Sequence, residues 1–392
     1  MTTSIKRARL SDLAVGRENH FNLIRFFAAG AVLVSHAWPL ALGRGTVEPL
    51  KNALGYSLGE LAVFVFFGLS GFFIAGSYAR QSSVFAFILA RASRLLPGLA
   101  ASILFVALII GPLVSTLDLA SYFSHPDTGR FVVQNILIFK PVYTLPGVFT
   151  DNPYPAVEGS IWTLAHEVAC YALILLLGLA GVLQRKSMTA GLAVLYLLSW
   201  IAMPTLQEFV HPRIQQTQEL SFPFVIGAAC WIWRAHIFLW WPIVLVSIGL
   251  AWATQGTVLA FPMLALTVTY SSLWAGYCRV PPLLMFNKVG DYSYGIYVYA
   301  MPLQGLTVWL WGDMTPVANI AMALPLTLIC AIISWHWVEN PALTFGGKAV
   351  SAGNSLGGRK HSPDKGPFGH RRVAKQIGRI GHVFRRNLGE RR

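Results

Sequence analysis

Arg25 and His36 stand eleven residues apart in an otherwise apolar segment, Phe21 to Leu42. An α-helix turns about 100° per residue, so this spacing brings the two side chains to within roughly 20° of one face, about 16 Å apart along the axis. Ionisable groups inside a membrane span are costly and by default mark an interior site rather than a lipid-facing surface. A histidine can take and return a proton near neutral pH, and an arginine can hold an anion. A histidine merely satisfied by a neighbouring helix has the same sequence context.

Further residues with chemical potential follow along the chain. In Arg91-Ala-Ser-Arg94-Leu-Leu-Pro97 the two arginines are three apart and share a helical face. With Arg25 they suit the phosphates of an anionic cofactor, although basic residues at a membrane edge also serve as anchors. Arg80 is read as an anchor only. Phe66 to Phe73 contains Gly68-Leu69-Ser70-Gly71, where small residues admit the backbone of another helix or an elongated ligand. Ser70 lacks the flanking pattern of a nucleophile elbow. The segment Glu158 to Glu167 carries Trp162, His166 and Glu167, with Tyr171 beyond. His166 points about 100° away from Glu167, so only one can sit centrally, and Glu167 is preferred. Trp162, five residues earlier, serves a sugar site or an interfacial anchor equally well. Glu339, near the end of the last apolar run, is expected to clasp an inner arginine.

These residues need a scaffold, and the composition selects it. The chain has 392 residues, 55% hydrophobic and 12% charged, with mean hydropathy +0.56. Soluble domains carry about twice that charged fraction, so the fold class is an all-α polytopic membrane protein. Apolar runs of suitable length predict about ten transmembrane helices, near 20–42, 57–79, 86–114, 159–183, 189–206, 219–234, 237–254, 257–276, 289–311 and 318–338. Phe131 to Phe139 is too short to span and is expected to be re-entrant or interfacial. A break is expected at Pro302. The four cysteines have no paired or metal-ligand spacing and are read as packing residues; no metal site is expected.

Placing the basic N-terminus (Lys6, Arg7, Arg9, Arg17) in the cytoplasm puts Arg91, Arg94, Arg185, Lys186, Arg234, Arg279 and Lys288 inside as well. Acids such as Glu48, Asp118, Asp151, Glu158 and Glu219 then collect outside, as positive-inside topology requires. No cleavable signal peptide is expected. The connection from Ser115 to Glu158 is long enough to lid a site open to the outside. Of the net charge of +14, ten units lie from Lys348 onward. The predicted organisation is a basic cytoplasmic segment (1–19), a membrane domain (20–341) and a basic, disordered cytoplasmic tail (342–392). That tail is expected to lie on anionic lipid headgroups rather than nucleic acid.

Taken in order, these segments resemble acyltransferase family 3, bacterial integral-membrane O-acyltransferases that decorate sugars. The resemblance rests on Arg25 with His36 in Ser-His-Ala, Phe-Phe-x-x-Ser-Gly ending at Gly71, Arg-x-x-Arg-Leu-x-Pro from Arg91, and Trp-Thr-Leu-x-x-Glu from Trp162 to Glu167. Ser-Tyr-x-x-Tyr (Ser293 to Tyr297) and Glu-x-Pro (Glu339 to Pro341) complete it, so it covers residues 18 to 341. It implies transfer of an acyl group, commonly acetyl, from cytosolic acyl-CoA to a hydroxyl of a cell-surface or exported glycan or glycolipid, at the bacterial cytoplasmic (inner) membrane. His36 is then the catalytic residue and general base, with Glu167 raising its basicity or binding the acceptor. Arg25, Arg91, Arg94 and Ser70 fall on the donor side, and Trp162 and Glu167 on the acceptor side. Polysaccharide-assembly proteins are the implied partners. One departure is that many members carry a histidine where Ala300-Met301-Pro302 stands here. The alternatives are a glycolipid transporter or flippase, and an acyltransferase for a small secreted molecule.

Overall fold

The computed structural model describes residues 7–16, 18–81, 83–138, 140–278 and 280–356. Lys6, Arg17, Phe139, Arg279 and the basic stretch from Gly357 onward lie outside the described residues.

Helices form where the apolar runs predict them. They are α1 (Phe21–Leu42), α2 (Leu58–Arg80) and α3 (Val84–Phe105), the last continuing through a π-helical turn (Val106–Ile110) to Val114. After α4 (Pro126–Ile136) come α5 (Trp162–Leu179), α6 (Lys186–Leu206), α7 (Pro212–Ile232), α8 (Trp241–Ala253) and α9 (Ala260–Tyr277). The chain ends in α10 (Ser293–Trp311) and α11 (Pro316–Ser334), then a second π-helical turn (Trp335–Glu339) and α12 (Asn340–Leu356). Among the described residues six helices are long and apolar enough to cross a membrane: α1, α2, α3 to Val114, α5, α6, and α11 carried on to Val350. The other four predicted spans, α7 to α10, are also helical; α8 has only 13 residues.

Local chemistry sets several helix ends. Ser57 and Glu60 form a reciprocal capping box at the start of α2, satisfying two backbone N–H groups that the first turn leaves without partners. The Ser83 hydroxyl accepts from Ala86 N at 3.1 Å to start α3. Contrary to the predicted break, α10 runs through Pro302. Proline cannot donate to the carbonyl four residues back, which is that of Val298, and the Ser102 hydroxyl of α3 donates to it instead at 3.0 Å. In the same way, Tyr122 reaches from the 115–158 connection to donate to Ala107 O in the π-helical turn of α3, at 2.9 Å. The boundary predicted at 341 falls inside continuous helix: α12 continues to Leu356 and packs along α3, with Gly346 against Ser93.

α10 is the central element, buried from Ser293 to Gly305 and flanked by α1 and α11. The α2–α7 crossing is tight enough that a β-carbon at Gly71 would lie 1.9 Å from Phe224 O, and one at Gly227 would lie 1.9 Å from Gly68 O. The Gly68 and Gly71 pattern therefore admits a helix backbone, one of the two readings its spacing allowed.

Contacts between connections sort them to two ends of the bundle. At one end Ala8–Arg9 pairs antiparallel with Phe238–Leu239, His20 N donates to Gly276 O (2.7 Å) and Asn287 Nδ2 donates to Asn19 O (2.6 Å). At the other, Asn152 Nδ2 donates to Gly305 O (2.9 Å), Thr116 N to Gly147 O (2.9 Å) and Trp200 Nε1 to Val258 O (2.9 Å). The basic connections share the first end with the N-terminal segment.

Gly71→Ala should force α2 and α7 apart. Overpacking of this kind costs roughly 1–3 kcal/mol, read as a lower thermal unfolding midpoint in detergent; an unchanged midpoint would contradict the crossing.

Candidate functional site

The first end of the bundle holds a charge cluster. Asp291, just before α10, accepts through Oδ2 from Arg94 Nη2 of α3 at 2.7 Å and from Arg25 Nη2 of α1 at 3.2 Å. Its Oδ1 accepts from the Ser293 hydroxyl at 2.6 Å. Arg25 also donates to Asn22 Oδ1 at 2.6 Å. Arg94 Nη1 lies 4.0 Å from Glu339 Oε2, and Glu339 Oε1 accepts from the Ser334 hydroxyl at 2.9 Å. The clasp predicted for Glu339 is thus a contact with Arg94. The side chains of Arg25 and Arg94 keep about a quarter of their surface accessible (24% and 23%) while that of Asp291 keeps 8%.

Arg91, three residues before Arg94, has a buried Nε without a hydrogen-bond partner. Tyr171, Arg94 and Glu167 act on its charge. Glu167 Oε1 accepts from Ser70 Oγ at 3.2 Å and from Tyr171 Oη. Ser70, Glu167 and Tyr171 thus form one polar group joining α2 to α5, beside Arg91. No hydrogen bond or ion pair joins Glu167 to His36 among the described residues. His166 points elsewhere, its Nδ1 2.9 Å from Thr217 Oγ1 on α7 and its ring edge-to-face with Trp162 at 5.7 Å.

Toward the other end, His36 lines a partly open cavity of about 170 Å³ with Pro39 and Leu40 of α1, Tyr154 and Gly159 of the connection before α5, Trp162 of α5 and Met301 of α10. A single water needs only about 10–15 Å³ of such volume, so there is room for a small reacting group. His36 Nδ1 is buried without a partner. The helix turn below it is anchored from α10, where Gln304 Nε2 donates to Leu33 O at 3.0 Å and to Asn319 Oδ1 at 2.8 Å. Arg44, at the rim, stacks over the Tyr154 ring at 5.0 Å.

The structure therefore brings His36 and Trp162 to one cavity, Arg25 and Arg94 to one carboxylate, and Ser70 to Glu167. Glu167 is held by Ser70 and Tyr171, with no hydrogen bond to the imidazole among the described residues. Sequence reasoning missed Asp291, Tyr154, Gln304 and the cavity role of Met301. Asp291 had a legible signal, being an acid at the mouth of a helix on the side where bases gather. Gln304 and Tyr154 had none, because only folding brings them near His36.

A family model described as an acyltransferase domain matches residues 18–336. Among characterised relatives, the chain is similar to "Nodulation protein 10" of Rhizobium leguminosarum bv. viciae, at 29% identity over 369 residues, covering 84% of this chain and 94% of the relative. It is also similar to an "O-acetyl transferase" of Shigella phage Sf6, at 27% identity over 343 residues, covering 84% and 97%. No solved structure matches.

Asp291→Asn leaves two neighbouring guanidiniums without their shared counter-charge. Breaking a buried pair costs about 3 kcal/mol, at the low end of its range here because the arginines keep some access. Thermal unfolding should show the loss, and a wild-type midpoint would mean that the arginines are held by other groups.

Proposed function

The chain belongs to acyltransferase family 3 and is a membrane O-acyltransferase; on that premise we propose that it moves an acyl group, acetyl by analogy with the phage relative's name, from cytosolic acyl-CoA to a hydroxyl of an exported or cell-surface glycan or glycolipid. The observation that carries this reading is the arrangement of the polar groups. The arginine cluster lies at one end of the helices, and His36 with Trp162 lines a cavity toward the other. One acyl donor and one hydroxyl acceptor arriving from opposite sides would meet between them.

In this proposal ten helices cross the bacterial inner membrane, with the end bearing the N-terminal segment facing the cytoplasm. The donor's phosphates lie against Arg91 and the accessible surfaces of Arg25 and Arg94, since guanidinium groups match phosphate oxygens in geometry and charge. Ser70 and Glu167 sit beside that path and order its wall. Trp162 and Tyr154 provide flat apolar surfaces for a sugar ring. Glu167, held by Ser70 and Tyr171, stands on the donor side of the imidazole.

The chemistry then balances with one base. His36 takes the proton of the acceptor hydroxyl as its oxygen attacks the thioester carbonyl. The tetrahedral intermediate collapses, the C–S bond breaks, and the imidazolium returns the proton to the departing thiolate. The products are the ester and free CoA, and the imidazole is ready for another cycle. Buried apolar walls keep water from competing for the acyl group.

His36→Ala should abolish transfer of labelled acetyl from acetyl-CoA by the purified protein, with insertion and unfolding midpoint retained; residual wild-type activity would remove the imidazole from the reaction. Arg91→Ala should raise the donor KM by roughly 10- to 100-fold, as loss of a charge-assisted hydrogen bond implies, with kcat changed less. An unchanged KM would return Arg91 to a purely anchoring role.

A further inference from the structure

Among the described residues, Glu158 is a buried carboxyl group with both oxygens unpartnered. It lies in the outer connection, four residues before α5, and is completely buried (0% exposed). Neither carboxyl oxygen has a hydrogen-bond partner, and no cation pairs with it among the described residues. A buried carboxylate in such surroundings is far more costly than the neutral acid. Burial accordingly pushes its carboxyl well above the usual carboxylate range.

Its position gives the anomaly a consequence. Glu158 N donates to Tyr143 O at 3.2 Å, within the same connection. The next residue, Gly159, forms part of the wall of the His36 cavity, and its N–H points at Met301 Sδ of α10, 2.9 Å away. The residue after that, Ser160, accepts through its carbonyl from Tyr297 Oη of α10 at 2.7 Å. The titratable groups acting near the carboxyl are Tyr297 and Tyr299 on α10. Both are phenols, and neither supplies a positive charge. A negative charge on Glu158 would therefore have to seek water, and the 157–160 segment would have to move with it. That segment is the cavity wall.

We propose that Glu158 is a positioning residue: as a neutral acid packed against α10 it holds the Gly159 wall of the His36 cavity in its reactive shape, and its ionisation releases that wall. The inference deepens the reading of the cavity as the acyl-transfer site and rests on it. Its sign follows from burial. The folded state binds the proton more tightly than the unfolded chain, so its stability is greatest while the acid is protonated. Stability then falls as pH rises through the ordinary carboxylate range toward the raised value. Transfer should fall likewise as the outer pH rises through that raised value, by about tenfold per pH unit beyond it. At acid pH the opposite limb belongs to protonation of the catalytic base.

The test uses the full chain in proteoliposomes, with outer pH varied, and the same protein in detergent for thermal unfolding. Glu158→Gln keeps shape and neutrality but cannot ionise. It should retain transfer at the higher pH where the wild type loses it, and its unfolding midpoint should lose the wild type's decline with rising pH. Glu158→Ala should lower transfer at every pH, because the wall loses its packing. Glu158→Met, neutral and of similar bulk, replaces the glutamine variant should that variant fail to fold. Parallel unfolding curves against pH for wild type and the neutral variant would overturn the proposal. If the neutral variant flattens the unfolding curve while no acyl transfer is detected from any form, the neutral-acid latch stands and the reaction assigned to the cavity fails instead.

Discussion

Arg25 and Arg94 both donate to one oxygen of Asp291, and this shared contact ties α1, α3 and the mouth of α10 together at one end of the bundle. Charged groups within an apolar layer persist only when paired or given a task. The pairing settles where three helices meet, and with it the distance from that end to His36 further along α1. It also divides the arginines into two kinds. Arg25 and Arg94 each pair with the Asp291 carboxylate, whereas no ion pair holds Arg91 among the described residues; the Nε of Arg25 and that of Arg91 are both buried without a hydrogen-bond partner. An incoming polyanion would meet Arg91 first and then share the other two with Asp291.

The remainder of the architecture keeps the histidine end as fixed as the arginine end. Gln304 and Asn319 bind each other and brace the backbone of α1 at Leu33, one turn below the imidazole. Ser102 replaces the hydrogen bond that Pro302 cannot make, so α10 stays continuous behind the cavity. The glycine-mediated approach of α2 to α7 leaves Ser70 turned toward Glu167. Each device removes a backbone or side-chain defect that the apolar surroundings would otherwise make expensive. Together they leave His36 Nδ1 as a buried polar atom without a partner beside a cavity.

Much of this fold was legible in the sequence because hydropathy over about twenty residues is a strong, local signal. Every predicted apolar run carries a helix, and the eleven-residue interval between Arg25 and His36 separates the two ends of the site as helical geometry requires. Pro302 misled, since the residue that rescues its helix lies on α3, some two hundred positions away in the chain. The partners of Glu167, Ser70 and Tyr171, were not legible either: periodicity reports the face of one helix but not which neighbour that face meets. Asp291 could have been suspected from its sign among inner bases. Gln304, Tyr154 and the buried state of Glu158 depend on tertiary packing and left no local trace. The boundary at 341 was drawn where hydropathy fades, whereas α12 continues because it packs along α3.

The central claim is that one imidazole serves two compartments. Oriented proteoliposomes test it most directly, with labelled acetyl-CoA confined to the face bearing Arg25, Arg91 and Arg94 and a glycan acceptor confined to the face bearing Tyr154 and Trp162. The account predicts label on the glycan in that orientation and none when the two substrates are exchanged between the faces. Transfer that proceeds only when donor and acceptor share one face would contradict it.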